Sequence, residues 1–248
     1  MYKVVIVDDE PLIVEGLKKI VDWDRYDCVV AGTASSGKEG LQAVQSVDPD
    51  ILFTDIRMPG MDGLTMIAAL RSEHKDLQVV ILTGYRDFEY ARQALTLGVH
   101  RFLVKPSRMK ELNEAMESLV QKLEGIKGER SPADGDEENA NANNFIVKRA
   151  MEYMEKHYRE KLQLADVAEA VYVSQWHLSK LLNGTGKSFS DILNEIRIDN
   201  AKELMRDSSL HIADISDKAG FSDIAHFSRV FKKHTGMSAN EYRNRFLR

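Results

Sequence analysis

Cysteine is almost missing from this chain: Cys28 is the only one in 248 residues, which excludes an internal disulfide and argues against a cysteine-based zinc site. There is also no apolar stretch of membrane-spanning length. Asp8, Asp9 and Glu10 interrupt the first strand-like run, so the basic-then-apolar pattern of a signal peptide is missing too. These absences predict a cytoplasmic protein with no membrane partner. A large excess of one charge is lacking as well, since the formal net charge is only -5. That small total hides an asymmetry. Residues 1–124 hold 15 Lys and Arg against 20 Asp and Glu, residues 125–144 hold 2 against 5, and residues 145–248 hold 17 against 14. An acidic half joined to a mildly basic half fits a metal or phosphate switch tethered to a polyanion binder, although the basic excess alone does not establish nucleic-acid binding.

The length suits two ordinary domains. In the first, short apolar runs at Lys3–Val7, Cys28–Ala31, Ile51–Thr54, Val79–Leu82 and Arg101–Val104 alternate with helical patterns. Those patterns lie at Pro11–Ile20, Lys38–Val47, Leu64–Glu73, Phe88–Leu97 and Met109–Leu123. Strictly alternating strands and helices predict a doubly wound, five-stranded parallel sheet of the flavodoxin-like kind, and right-handed crossovers put every strand's carboxyl end on one rim.

That rim collects Asp8 and Asp9 after the first strand, Asp55 after the third, Thr83 after the fourth and Lys105 after the fifth. Open α/β sheets bind ligands at this edge. Three carboxylates suit Mg²⁺, a hard cation that prefers oxygen, whereas a hydroxyl and an ammonium suit the oxygens of a phosphoryl group. An aspartate so placed can act as a nucleophile toward phosphorus. Any one of these residues reads equally well as a cap or a solvated side chain. Their coincidence at successive strand ends does not.

With the motif Asp55-Ile56-Arg57-Met58-Pro59, the Asp8-Asp9 pair, Thr83 and Lys105-Pro106, residues 1 to about 122 resemble the receiver domain of bacterial two-component response regulators. The resemblance implies that Asp55 accepts a phosphoryl group from a sensor histidine kinase. It further implies that Asp8, Asp9, Asp55 and the backbone carbonyl of Arg57 hold Mg²⁺, and that Thr83 and Lys105 bind the phosphoryl oxygens. Phe102, three residues before Lys105, stands at the family's switch aromatic, whose rotamer follows the Thr83 hydroxyl. A receiver assists its own phosphorylation and dephosphorylation but has no independent substrate, so no separate enzyme activity is expected.

Between residues 125 and 144 the periodicity gives way to Gly, Ser, Pro, Asp, Glu, Asn and Ala, the composition of a flexible, solvated linker. Asn144 is positioned to cap a helix marked by Ile146, Ala150, Tyr153, Met154 and His157. The remainder, 145–248, reads as all-helical and contains a degenerate repeat. His177-Leu178-Ser179-Lys180-Leu181-Leu182 aligns with His226-Phe227-Ser228-Arg229-Val230-Phe231 at an offset of 49, each copy preceded by a short helix and a turn. Each copy reads as helix-turn-helix. Leu178, Leu181 and Leu182, like Phe227, Val230 and Phe231, fall on an inward face. Gln175, Trp176, Ser179 and Lys180, and likewise Ile224, Ala225, Ser228 and Arg229, fall opposite and are free to read a groove. His177 and His226 adjoin core positions with no acidic or cysteine partner, so packing is favoured over a metal.

With the apolar connector from Phe189 to Met205 and the closing Thr235-Gly236 and Glu241-Tyr242-Arg243, residues 145–248 resemble the AraC-type DNA-binding domain. The resemblance implies transcription regulation, with double-stranded operator DNA as a partner and RNA polymerase as a further one. Carried over by position, the DNA-contacting candidates are Gln175, Trp176, Ser179, Lys180, Ala225, Ser228 and Arg229. The sequence departs from the family at Asn183-Gly184, which replaces the usual basic pair, at a first-repeat exit turn one residue short, and at Ala239, where the family usually has Pro. Combined, the two halves describe a phosphorylation-dependent regulator that forms a homodimer on phosphorylation. Two other classes compete. A phosphoaspartate hydrolase of the haloacid dehalogenase type places its nucleophile in an Asp-x-Asp pattern after the first strand, unlike Asp55. An adaptor that has lost DNA binding is opposed by Lys180 and Arg229.

Overall fold

The computed structural model describes residues 1–71, 74–84, 87–128 and 132–246, apart from the side chains of 126–138. It divides into two compact units, Met1–Ile146 and Val147–Arg248.

The first unit is built on strands β1 (Tyr2–Val7), β2 (Cys28–Ala34), β3 (Ile51–Thr54), β4 (Gln78–Thr83) and β5 (Arg101–Val104). They alternate with helices α1 (Pro11–Ile20), α2 (Gly37–Val47), α3 (Gly63–Arg71), α4 (Phe88–Thr96) and α5 (Met109–Gly128). All five strands are parallel, in the order β2-β1-β3-β4-β5. The predicted doubly wound sheet is therefore present, with the order reversing at β1 and β3, where ligand crevices open. Of the expected helix over Leu64–Glu73, the last two residues lie outside the described residues. Strand β2 runs three residues beyond its expected end, because Gly32, Thr33 and Ala34 still pair with Val5, Ile6 and Val7 of β1. Central strands β1, β3 and β4 are buried on both faces and read as continuous apolar runs, as parallel strands covered on both sides must. On one face Val4, Ile6, Phe53, Val80 and Leu82 pack with Val14 and Leu17 of α1 and Leu112, Met116 and Leu119 of α5. On the other, Gly40 of α2 comes so close to Val7 and to Met66 of α3 that a Cβ there would lie 2.7–2.9 Å from both side chains.

Arg71, at the end of α3, is buried and donates from Nε to the Leu97 carbonyl at 3.0 Å, from Nη1 to Leu77 at 2.7 Å and from Nη2 to Gly98 at 2.8 Å. One guanidinium thus satisfies carbonyls at the end of α4 and before β4, fixing the approach to β4 and β5.

The second unit contains α7 (Leu164–Ala170), α8 (Gln175–Gly184), α9 (Phe189–Leu204), α10 (Ile212–Lys218), α11 (Ile224–Thr235) and α12 (Ala239–Phe246). Helix α6 (Pro132–His157) leads into it, and the boundary between the units falls inside that helix. The flexible linker expected over 125–144 is therefore incorrect. Helix α5 continues to Gly128 and α6 begins at Pro132, whose missing N–H suits a first turn, with 129–131 outside the described residues. Asn144 accordingly lies within a helix rather than capping one. The reason is visible in the buried stripe Ala142, Ile146, Ala150 and Met154, which begins one turn before the residues that marked the helix in the sequence.

Both helix-turn-helix pairs form. The repeat is offset by 48 in the first helices (Leu164, Ile212), 49 in the second (Gln175, Ile224) and 50 at the left-handed exit glycines Gly186 and Gly236. The first extra residue of the second copy lies in the turn, which spans 219–223 against 171–174, and the second lies in α11, which has 12 residues against the 10 of α8. The capping boxes Gln163–Asp166 and His211–Asp214 mark equivalent starts. Tyr172 and Gly220, with φ of 57° and 85°, occupy the same left-handed step of the turn. Around α9, the Phe227 ring meets Phe221 edge-to-face at a centroid distance of 5.2 Å and Phe231 at a tilt at 5.5 Å, and Phe231 in turn meets Tyr242 edge-to-face at 5.5 Å. Arg197 of α9 donates to the Tyr158 and Glu160 carbonyls at 2.8 and 2.9 Å and lies 5.7 Å over the Phe221 ring. It joins the end of α6, the connector and the second turn. At α12 a reciprocal cap, Glu241 N–H to Ser238 Oγ at 3.3 Å and Ser238 N–H to Glu241 Oε2 at 2.7 Å, holds the start where Ala239 replaces Pro.

Two outcomes are expected. Arg71→Met leaves three carbonyls without their shared charged donor and should cost about 3 kcal/mol in urea unfolding, with Arg71→Lys recovering only part of it; a loss under about 0.5 kcal/mol contradicts the clamp. Burial pushes the Cys28 thiol up to about 11. At about pH 8 it should then carry roughly 100-fold less thiolate than an ordinary cysteine and react with a thiol reagent only as the fold opens, whereas rapid labelling in native buffer contradicts its burial.

Candidate functional sites

The carboxyl rim of the sheet carries the first site. Val7, Thr54, Thr83 and Val104 are the last residues of their strands, so the chain delivers Asp8, Asp55 and Lys105 to adjacent positions. The Asp55 N–H donates to the Val7 carbonyl at 3.0 Å and the Lys105 N–H to that of Thr83 at 2.8 Å. These bonds continue the ladders one residue past the strands. Asp8, Asp55 and Thr83 are all buried; Asp9 is more exposed.

Lys105 Nζ lies 2.7 Å from Asp8 Oδ2, 2.9 Å from Asp55 Oδ2 and 3.1 Å from Glu10 Oε1. Burial acts to lower its pKa, but the hydrogen bonds to Asp8 and Asp55 outweigh this and hold the ammonium above an ordinary lysine. Burial pushes the Asp8 carboxyl up, opposed by hydrogen bonds from Lys105 and the Glu10 N–H. Asp55 Oδ1 also accepts the Ile56 N–H at 2.5 Å, which fixes the carboxylate's plane. One oxygen each from Asp8, Asp9 and Asp55 lie within 4.8 Å of one another. An all-carboxylate set with two buried members fits a hard divalent cation, which would offset the desolvated charge.

The loop after Asp55 is shaped by Gly63. A Cβ there would collide with the Asp55 carbonyl oxygen, so only glycine lets α3 start this close to the acceptor strand. The Lys105–Pro106 peptide is cis. Phe102 is half-buried and pairs in the β4–β5 register with Ile81, which lies two residues before Thr83. The Arg57 side chain is exposed. Glu10, the third carboxylate on Lys105, was not singled out by the sequence; its place three residues past β1 was the available signal.

The second site is the exposed face of α8 and α11. Trp176 is 72% exposed, Gln175 and Lys180 are exposed and Ser179 is half-exposed. Lys180 Nζ lies 5.3 Å over the Trp176 ring. On α11, Ala225, Ser228 and Arg229 are exposed, and Ser228 Oγ donates to the Ile224 carbonyl at 2.8 Å. Leu178 and Leu182, and Phe227, Val230 and Phe231, are buried behind them, while Leu181 is only half-buried. Ser174 and Asp223 cap the two helices by accepting the N–H groups of His177 and His226. His226 meets the edge of Phe221 at 5.6 Å, in keeping with a packing role. Lys232 and Lys233, exposed near the end of α11, were not among the expected DNA-contacting residues.

Comparison with known proteins identifies both units. The model of the response regulator receiver domain matches residues 4–117, and that of a helix-turn-helix domain of the AraC type matches 167–245. The transcriptional regulatory protein HptR of Staphylococcus aureus is 32% identical over 250 residues, covering 98% of each chain. An uncharacterized response regulatory protein of Staphylococcus epidermidis is 30% identical over 253 residues, again with 98% of each chain covered. Among solved structures, the receiver domain of AraT, a response regulator from Geobacillus stearothermophilus, is 36% identical with a TM-score of 0.49, covering 51% of this chain and 98% of its own. The C-terminal domain of AraT is 39% identical with a TM-score of 0.38, covering 40% and 84%. No described helix is long and apolar enough to cross a membrane. The chain belongs to the response regulators, and with a receiver unit followed by an AraC-type helix-turn-helix DNA-binding unit it is a transcription regulator of a two-component system.

Proposed function

We propose that Asp55 takes a phosphoryl group from a sensor histidine kinase and that the phosphorylated chain self-associates to bind its operator. The observation that carries this reading is the placement of Lys105 Nζ 2.9 Å from Asp55 Oδ2, with Asp8 and Asp9 alongside. An Asp55 oxygen forms a new bond to phosphorus as the bond from phosphorus to the donor nitrogen breaks, and the histidine leaves with that electron pair. Lys105 is placed to move its hydrogen bonds onto the incoming phosphoryl oxygens, and Thr83, buried at the end of β4, to donate its hydroxyl to another. Asp8, Asp9, Asp55 and the Arg57 carbonyl would hold Mg²⁺, which supplies charge neutralisation at the phosphoryl oxygens. Water hydrolyses the acyl phosphate in the same site, and no independent substrate is involved. The setting is the cytoplasm, with RNA polymerase as a further partner once DNA is bound.

Self-association is supported by the surface beside the switch residues. Phe88 and Leu95 of α4 are 78% and 73% exposed, an apolar pair seven residues apart on the helix preceding edge strand β5. Repositioning of Thr83 and Phe102 on phosphorylation would alter how α4 and β5 present this face. Two tethered DNA-binding units that meet an operator together gain affinity by raised effective concentration.

Incubation with acetyl phosphate and Mg²⁺ should retard the wild type in phosphate-affinity electrophoresis, with Asp55→Ala unlabelled and Asp9→Ala needing more Mg²⁺; persistent labelling of Asp55→Ala sinks the assignment. Sedimentation should show a phosphorylation-dependent dimer that Phe88→Ala/Leu95→Ala weakens at least tenfold while leaving labelling intact. A dimer unaffected by this change would place the interface elsewhere.

A further inference from the structure

The two recognition helices are alike in fold and unlike in charge. In the register that aligns α8 with α11, Trp176 corresponds to Ala225, Ser179 to Ser228 and Lys180 to Arg229, and one turn later Asn183 and Gly184 correspond to Lys232 and Lys233. Helix α8 therefore carries one cation, Lys180, and α11 carries three, Arg229, Lys232 and Lys233, with no acidic residue in either. The difference is sharpened by neighbours. Lys180 lies over the Trp176 ring, and Lys187, the next cation after α8, is held at 2.5 Å by Glu195. On α11, Lys233 makes only a weak, exposed ion pair, 3.7 Å from Asp191. What α8 offers in place of charge is base-reading chemistry: an exposed indole and the amide of Gln175 on its first turn.

Phosphate contacts supply the sequence-independent, salt-dependent part of DNA affinity, whereas contacts to base edges supply selectivity. Building on the DNA-binding role of this unit, we propose that the two helix-turn-helix pairs divide that work. The second, through Lys232 and Lys233 at the end of α11, grips the phosphodiester backbone and sets the affinity of the unit for any duplex. The first, with a neutral Asn183-Gly184 where the second has its basic pair, makes few backbone contacts and acts chiefly as the reader, through Gln175 and Trp176. The operator is thus recognised unevenly, with the half-site under α8 the more discriminating of the two.

The phosphorylated full-length protein can be titrated by fluorescence anisotropy against two duplexes of about 30 bp, long enough for two sites a helical turn apart. One is selected from a random-sequence pool, and the other is an unselected duplex of equal composition. Lys232→Gln/Lys233→Gln should flatten the plot of log K against log salt by about 1.8 on both duplexes, at about 0.9 for each phosphate no longer neutralised, and leave their affinity ratio within about twofold. Trp176→Ala should leave the slope unchanged and lower that ratio roughly 5- to 150-fold. The reciprocal graft Asn183→Lys/Gly184→Lys is sterically open, since a Cβ at Gly184 would meet nothing within 4 Å, and should steepen the slope on both duplexes. Circular dichroism checks that each variant is folded. A slope unmoved by the Lys232/Lys233 change, or a ratio that falls with it as far as with Trp176→Ala, overturns the division of work while leaving DNA binding intact. A wild type that binds neither duplex overturns the DNA-binding reading itself.

Discussion

A single ammonium group between two buried carboxylates is the constraint on which the receiver unit depends. Lys105 reaches Asp8 and Asp55 because β1 and β3 end level, Val7 paired with Thr54, while β4 and β5 run two residues further in the same direction, so that the residue after Val104 overhangs both carboxylates. Burying this cluster is costly unless the charges are paired and hydrogen-bonded, so the sheet register and the loops after β1, β3 and β5 are fixed together. The Ile56 N–H, the Gly63 start of α3 and the extra ladder bonds at Asp55 and Lys105 are all means of holding those loops. On the proposed reading, a site arranged this way has the acceptor carboxylate, the oxygens that would hold a cation and the ammonium prepositioned. What would remain to change on the proposed phosphorylation is the sharing of Lys105 and the contacts of Thr83.

The same economy appears in the DNA-binding unit, where Arg197 collects carbonyls from the end of α6 and stacks on Phe221. Burial lowers the pKa of its guanidinium, which sits in the joint between the connector and the second turn. Arg71 plays the corresponding part in the receiver. Each unit thus uses one arginine to satisfy helix-end carbonyls that would otherwise lack donors.

Most of this was legible from the chain because the signals were local. Short apolar runs flanked by acidic or hydroxyl residues marked strands and rim residues together, and β3 and β5 match their expected bounds. The stretch before α7 was misread for a physical reason. Asparagine and glycine between 125 and 144 suggest a solvated coil, but Ala142 supplies the buried position that lets α6 extend backward from Ile146, and an alanine in such company carries no visible hydrophobic signal. Glu10 was missed for the opposite reason. An isolated charge beside a motif looks like solubility, and only its geometry against Lys105 shows what it faces.

The drift of the repeat from 48 to 49 to 50 residues says where this domain tolerates length change. The first increment falls in the turn and the second at the end of α11, beyond the aligned stretch in which the recognition faces remain in step. The two modules are interchangeable as helices but not as loops. A chimaera that replaced α8 with the aligned residues of α11 would preserve every buried position, whereas one that exchanged whole modules would have to carry two additional residues and a new path for the chain around Tyr172.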